Sequence, residues 1–155
     1  MHRIVLLLLL LVSSISVHSQ APYLIEGEVK NVRDGVELLL MDVPAKKQLA
    51  IGVIKNGTFR LKVNPVQGGL RHLGLLALGD EFPPAYCAIY MREGSHVKIK
   101  GEDNLTNLWK VESDLKENQS RRAYLEYIKE SEVVFAQTAA SILDLQRKEI
   151  KATEA

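Results

Sequence analysis

The chain has 155 residues, of which 46% are hydrophobic and 25% are charged. These proportions are typical of a globular protein and argue against disorder as the state of the whole chain. The 20 basic and 19 acidic residues nearly cancel. This balance argues against general nucleic-acid binding, which requires a strongly basic surface.

Residues 1–19 are predicted to be a secretory signal peptide. After a short basic start, Ile4–Val12 form an unbroken apolar run, and Val17 and Ser19 suit the recognition positions of a cleavage site before Gln20. A membrane anchor is the alternative, but the run is shorter than the about 20 residues that span a bilayer. The mature chain is therefore expected in a periplasm or outside the cell, without stable membrane insertion.

Residues 20–112 are predicted to form a β-sandwich domain. Seven or eight short segments have the alternation or apolar character of strands and are separated by frequent turns. This pattern is typical of an antiparallel β-sandwich or a partly open barrel. The predicted strands are Tyr23–Lys30, Val36–Met41, Leu49–Val53, Thr58–Val63, Arg71–Leu78, Ala85–Met91, His96–Lys100 and Trp109–Val111.

Two of these segments carry more specific signals. Asn56-Gly57 lies between two alternating runs, and both residues accept the positive φ angles of a tight two-residue turn. We therefore predict a hairpin at this point. The nearly continuous apolar run Val36–Met41 predicts a strand that is covered on both faces.

Residues 113–155 are predicted to be a helical tail or linker. Asp114-Leu115-Lys116-Glu117 resembles a capping box, and no Gly or Pro occurs from Leu115 to Ile150. One helix broken near Ser131 and two separate helices both fit this pattern. The residues that can share one apolar stripe are Tyr124, Ile128, Phe135, Ala139 and Ile142. The last residues carry no helix stop signal, so either a natural end at Ala155 or further protein beyond it fits the pattern.

No catalytic, cofactor-binding or metal-binding residue is predicted. His72 and His96 stand alone in strands and are interpreted as polar-face residues rather than ligands. Cys87 cannot form a disulfide within the chain, because it is the only cysteine. It is interpreted as a small buried residue, with a mixed disulfide to a partner as the alternative. The acidic pairs Asp80-Glu81 and Glu102-Asp103 are interpreted as solvated turns.

Four segments and their order resemble a known family. They are Tyr23–Val29, Asp34–Leu40, Val53–Phe59 and Tyr90–Ile99, followed by the helix from Asn118. The arrangement resembles the uncharacterised N-terminal domain of exported thioredoxin-like thiol-disulfide oxidoreductases of Gram-negative envelopes. In that family a helical linker leads into a thioredoxin-fold module with a C-x-x-C motif, and this sequence holds no counterpart of those cysteines. It also has Glu112 where the family often has Gly before Ser.

The resemblance implies a non-catalytic accessory or interaction domain of the cell envelope. Its expected partners are a thioredoxin-like module, C-terminal to this domain or associated with it, and further copies of the chain. A free-standing envelope module that binds a ligand is the alternative, and a hydrolase with dispersed carboxylates is a third, weaker reading. An interaction domain should leave the apolar stripe of its helix uncovered, whereas a free-standing module should pack that stripe on its own sheet.

Overall fold

The structure of the protein, a computed structural model, describes residues 22–64 and 69–153, with side chains up to Glu149. The predicted signal peptide, residues 1–19, lies outside the described residues. In the described chain, seven strands precede one short 3-10 helix, which is followed by an eighth strand and one α-helix. They are β1 (Tyr23–Val29), β2 (Glu37–Asp42), β3 (Lys47–Val53), β4 (Thr58–Val63), β5 (Arg71–Leu78), β6 (Cys87–Met91), β7 (His96–Gly101), the 3-10 helix Thr106–Leu108, β8 (Lys110–Glu112) and α1 (Lys116–Thr153).

The strands form two four-stranded sheets that share one hydrophobic core. Most strands contribute alternate side chains to it, as in β4, where Phe59, Leu61 and Val63 are buried and the residues between them are exposed. Strand β3 contributes only the partly buried Leu49 and Ala50. The largest fully buried side chain is that of Trp109, whose ring lies 6.4 Å from the ring of Phe59 between centroids. The predicted β-rich, sandwich-like fold followed by a helical segment is confirmed.

The order of the strands contains one departure from a purely antiparallel arrangement. One sheet has the order β4-β1-β7-β8 and the other has the order β3-β2-β5-β6. Strands β1 and β7 are parallel, with Ile25 opposite Val97, while all other neighbours are antiparallel. Alternation in a sequence identifies the buried face of a strand, but it carries no information about the direction of the neighbouring strand.

The Asn-Gly turn forms as predicted, but its two strands separate immediately. Asn56 and Gly57 have φ angles of 51° and 68°, and Lys55 and Thr58 exchange two backbone hydrogen bonds of 2.9 and 3.0 Å. Beyond this pair, β3 joins β2 in one sheet and β4 joins β1 in the other. The predicted hairpin is therefore only a turn, which carries the chain from one sheet to the other.

The C-terminal segment forms a single unbroken helix, so both the predicted break near Ser131 and the predicted pair of helices are wrong. Helix α1 has 38 residues and is about 57 Å long at 1.5 Å per residue. It continues through Ser131 without a break. Farther along it, Thr138 and Ser141 donate their hydroxyls to the carbonyls four residues earlier, at 2.8 and 2.9 Å. Within the described residues, no helix combines the length and the apolar character that crossing a membrane requires.

Helix α1 covers the sandwich where both sheets have an edge. Strands β6 and β8 are edge strands, and α1 packs against both of them and against the 3-10 helix between them. Unpaired edge strands invite association with other chains, and covering them with a helix is a common protection. The helix is therefore part of the folded domain rather than a loose extension of it.

The buried side chain of Asn118 joins α1 to the edge of β6. Its Oδ1 accepts the backbone N–H of Tyr90 at 2.8 Å, and its Nδ2 donates to the carbonyl of Tyr90 at 2.8 Å. The same Nδ2 also donates to the Ser113 hydroxyl at 2.7 Å. One amide side chain thus satisfies the two backbone groups that a ninth strand would otherwise have to pair.

The first turn of α1 is held differently from the predicted capping box. Glu117 accepts a hydrogen bond from Arg92 at 3.2 Å, and the Ser113 hydroxyl accepts the N–H of Leu115 at 3.3 Å. Glu117 therefore binds the loop after β6 and does not turn back toward Asp114. The predicted capping pair is wrong in its partners, because contacts across the fold replace local ones.

Replacing Asn118 with Ala should lower the free energy of unfolding by about 2–3 kcal/mol, because the edge groups of Tyr90 lose their partners in a partly buried site. Urea unfolding followed by circular dichroism measures this change. The matched control is Gln137→Ala on the exposed side of the same helix, expected to change stability by less than about 0.5 kcal/mol. Equal losses in the two variants would contradict the role given to Asn118.

Candidate interaction surface

Helix α1 presents one face to the sandwich. Ala136 is fully buried in that face, and Leu125 and Leu143 are half-buried on either side of it. Polar contacts follow the same face along the helix. Asn107 links two of its turns: its carbonyl accepts Arg121 at 3.0 Å, and its Nδ2 donates to Glu132 at 2.7 Å.

The attachment continues close to the end of the described side chains. Arg147 binds the carboxylate of Asp80 at 2.8 Å and the Asp80 carbonyl at 3.2 Å, which joins α1 to the loop between β5 and β6. The contacts from Asn118 to Arg147 fix the rotation of the helix about its own axis. The direction in which the remaining residues point is therefore set by the fold.

A second face of α1 is apolar and faces solvent. We call it the outer stripe, and the exposed fractions of its members run from 51% for Ile142 to 88% for Tyr127. At 100° per residue, its members lie within one third of the helix circumference. Six residues form the outer stripe: Tyr124, Tyr127, Val134, Phe135, Ile142 and Leu145.

The predicted apolar stripe overlaps the outer stripe without matching it. Tyr124, Phe135 and Ile142 belong to both, whereas Ile128 and Ala139 are half-buried toward the sandwich. Periodicity gave the correct spacing, but it could not show which side of the helix meets the sheet edges. Polar and small residues line much of the packed face, so hydrophobicity alone points to the wrong side.

The outer stripe carries no charge between its ends. The positions that complete it are Ser131 and Thr138, and the charged residues of this part of α1 lie on its other sides. A surface helix normally turns its charged residues outward and its apolar residues toward the core. An uncharged face that remains exposed on a well-packed helix is typical of a site that another protein surface covers.

A second exposed apolar area lies on the outer face of the sheet that contains β2. Since Leu38 and Leu40 are buried in the core, Leu39 points outward, beside Ile51 on β3 and Leu76 on β5. Ile51 is 52% exposed. The apolar run in β2 predicted cover on both faces, but in the described residues Ile51 and its neighbours remain partly open to solvent. We call this area the sheet face, and it comprises Leu39, Ile51, Val53, Leu76 and Leu78.

Cys87 lies in the core and not at a surface. Its thiol is fully buried and donates a weak hydrogen bond to the carbonyl of Trp109, with 3.6 Å between sulfur and oxygen. Burial raises the pKa of the Cys87 thiol to about 11, and the positive charge of Arg121 acts in the opposite direction. Reactive cysteines need an exposed site and a lowered pKa, so this environment favours the structural interpretation over a mixed disulfide.

The two histidines lie apart and have different surroundings. His72 stacks on Tyr90, with 5.0 Å between ring centroids, beside the start of α1. Burial lowers its pKa, Arg121 lowers it further, and Asp42 acts in the opposite direction. His96 lies on the outer face of the other sheet, where its Nε2 is 2.8 Å from a carboxylate oxygen of Glu26.

The two acidic pairs lie in loops at the same end of the sandwich. Glu81 and Asp103 line one cleft of about 440 Å³ together with Arg33. Arg33 donates to Glu81 at 2.7 Å, and the pKa of Glu81 is lowered by a backbone hydrogen bond and by this contact. Asp103 accepts the N–H of Leu105 at 2.8 Å. Within residues 22–64 and 69–153, no three His, Cys, Asp or Glu side chains are grouped so that they could hold a metal ion.

No family model matches this chain, and no curated protein matches it. The resemblance to the N-terminal domain of exported thioredoxin-like oxidoreductases therefore stays a prediction from the four sequence segments. Sequence patterns did not identify several residues that position or form the outer stripe. No sequence pattern marked Asn118 as the residue that attaches α1 to β6. Tyr127, Val134 and Leu145 fell outside the predicted stripe.

The thiol of Cys87 should react with a disulfide reagent at least about 100-fold more slowly in the folded chain at pH 8 than in urea, because it is buried and protonated.

The raised pKa of the Cys87 thiol also predicts how the stability of the chain changes with pH. The unfolded thiol ionises near pH 9 and the folded thiol near pH 11, so the contribution of protonated Cys87 to stability is complete below pH 9 and is lost between these values.

A Cys87→Ala variant isolates this contribution from those of Tyr and Lys residues that titrate in the same range. The difference in unfolding free energy between the wild-type chain and the variant should shrink as the pH rises from 9 to 11. A folded chain that reacts as fast as the unfolded one, or a difference that grows over this range, would contradict the buried environment.

Proposed function

We propose that this chain is a non-catalytic accessory or interaction domain of the cell envelope, and that it acts through the outer stripe of α1. The sandwich and the helix form one body in this proposal, and the helix holds an apolar surface ready for a partner. The single observation that carries the proposal is the exposure of Tyr127 and Phe135 on a helix whose opposite face is fixed to the sandwich.

Exposure of the outer stripe to water is unfavourable for the isolated chain. Exposed apolar area costs roughly 25 cal/mol per Å² relative to burial, and an aromatic side chain can bury about 150–250 Å². Burial of the three aromatic side chains of this helix face would therefore stabilise the protein by roughly several kcal/mol, which the isolated chain does not gain. A partner that covers them recovers this free energy, and the sheet face offers a second surface of the same character.

The proposed location and family follow from the sequence. The predicted signal peptide favours the periplasm or the exterior, and the four segments resemble the domain that precedes thioredoxin-like modules. With Cys87 buried as the only cysteine of the chain, a redox role would fall to such a module and not to this domain. The domain would position the module or assemble it with others.

A free-standing envelope module that binds a ligand is the second candidate. A groove of about 520 Å³ lies on the outer face of the sheet that contains β1, which is an adequate volume for a small molecule. Six of its lining residues are charged, and two of them already form an ion pair, in which Glu26 is 3.2 Å from Arg60. Ligand pockets are mostly apolar with few polar groups, so this groove supports the second candidate less well than the outer stripe supports the first.

The size of the assembly that holds the protein in its own cells tests the proposal. The periplasmic and membrane fractions are released under mild conditions, and the chain is followed by size-exclusion chromatography and immunoblotting. The wild-type chain should elute in an assembly larger than one chain. Tyr127→Asp with Phe135→Asp should shift it to the size of the single chain, because a buried, unpaired carboxylate prevents the stripe from being covered.

Gln137→Asp is the matched control, since it adds the same charge at an exposed position of α1 outside the outer stripe. This variant should stay in the assembly. A wild-type chain that elutes as a single chain, or an assembly that survives both stripe substitutions, would overturn the proposal. Recovery of the protein from the cytoplasm alone would overturn its envelope location.

A further inference from the structure

We infer that the outer stripe of α1 is covered by the outer stripe of a second copy of this chain, with the two helices antiparallel. The inference rests on the proposed function, because it names the occupant of the same surface. It is carried by the spacing of the stripe residues, by the symmetry of their sizes, by the absence of charge and by the area that becomes buried.

The spacing of the outer stripe favours a helix as its occupant. Its members follow one another at intervals of three, seven and one residues, and Ser131 and Thr138 fill the longer intervals. The apolar surface is therefore a narrow ridge along the axis, about 32 Å long between Tyr124 and Leu145 at 1.5 Å per residue. Such ridges pack into the grooves of another helix that has the same spacing.

The sequence of sizes along the stripe favours an antiparallel copy. The midpoint lies between Val134 and Phe135, and the small hydroxyl residues Ser131 and Thr138 are equally far from it. Tyr127 and Ile142 lie at the next equal distances, and Tyr124 and Leu145 lie beyond them. When the stripe is turned end to end by a two-fold axis through its midpoint, large residues therefore meet large ones and small residues meet small ones.

Charge and hydrogen bonding are compatible with burial in this arrangement. The six stripe residues and the two hydroxyl residues carry no charge, so two copies meet without like-charge repulsion. Thr138 already donates its hydroxyl to the carbonyl of Val134 at 2.8 Å. Burying it against a second copy therefore leaves no unsatisfied donor at that position.

The area is adequate for a specific but reversible dimer. A whole aromatic side chain has about 150–250 Å² of surface. On this scale, the exposed fractions of the six residues correspond to an exposed side-chain area on the order of 600 Å² per copy. Two copies together would bury about 1,200 Å², which is the lower limit of standard protein interfaces. We therefore expect a dissociation constant of about 1–100 µM.

Sedimentation equilibrium of the purified chain without the predicted signal peptide, from about 1 to 300 µM, measures the dimer directly. The wild-type chain should pass from monomer to dimer within this range. Phe135→Asp should weaken the dimer at least about 30-fold, whereas Gln137→Asp should leave its dissociation constant within about threefold of the wild-type value. Circular dichroism and thermal unfolding check that both variants keep the fold, which is expected because both positions are exposed.

Single cysteines and a short bismaleimide crosslinker test the direction of the helices, and the buried Cys87 does not interfere. Val134→Cys, close to the two-fold axis, should crosslink to itself. Tyr124→Cys and Leu145→Cys should each fail to crosslink alone and should crosslink when mixed. Crosslinking of Tyr124→Cys to itself would indicate parallel helices and would overturn the inference.

A chain that stays monomeric at 300 µM would overturn the second copy as the occupant, as would a dimer that Phe135→Asp does not weaken. These results are separable from a failure of the proposed function. If the purified chain is monomeric while its envelope assembly still depends on the outer stripe, the interaction domain stands and a different partner covers the stripe. If the envelope assembly is also absent, both proposals fail.

Discussion

The hydrogen bonds between the Asn118 side chain and the backbone of Tyr90 determine how α1 is oriented on the sandwich, and so which surface it presents to solvent. They fasten the start of α1 to the open edge of β6 at 2.8 Å on both sides of the amide. Once this end is fixed, the rotation of the helix is set, and the contact between Arg147 and Asp80 holds the other end in the same orientation. The outer stripe faces solvent because these polar contacts, together with the burial of Ala136, set the packed face.

The same arrangement separates the structural and the interacting parts of the domain. The core between the sheets holds Trp109 and Cys87, and the raised pKa of the thiol follows from its burial there. The histidines and acidic pairs lie in separate places with partners of their own. In the described chain, the outer stripe and the sheet face remain apolar and uncovered. These two surfaces support an interaction domain more strongly than a ligand-binding module.

The sequence predicted the individual elements much better than their assembly. Strands such as β4 follow from alternation, the turn at Asn56-Gly57 from its φ requirements, and the long helix from the absence of Gly and Pro. The exchange of sheets after the turn and the parallel pairing of β1 with β7 could not be predicted, because both depend on neighbours distant in sequence. The packed face of α1 could not be predicted either, because the burial of a polar residue such as Asn118 leaves no hydrophobic pattern in the sequence.

Hydrogen exchange of the monomeric chain at low concentration tests the central claim most directly, namely that α1 is part of the folded domain and holds its outer stripe in a fixed direction. Amides between Leu125 and Leu143 should exchange with a free energy within about 1 kcal/mol of that for Leu73 and Leu75 in β5, because helix and sandwich should open together. Exchange of the helix amides that is many-fold faster than that of β5 would show a loosely attached tail and would contradict the account.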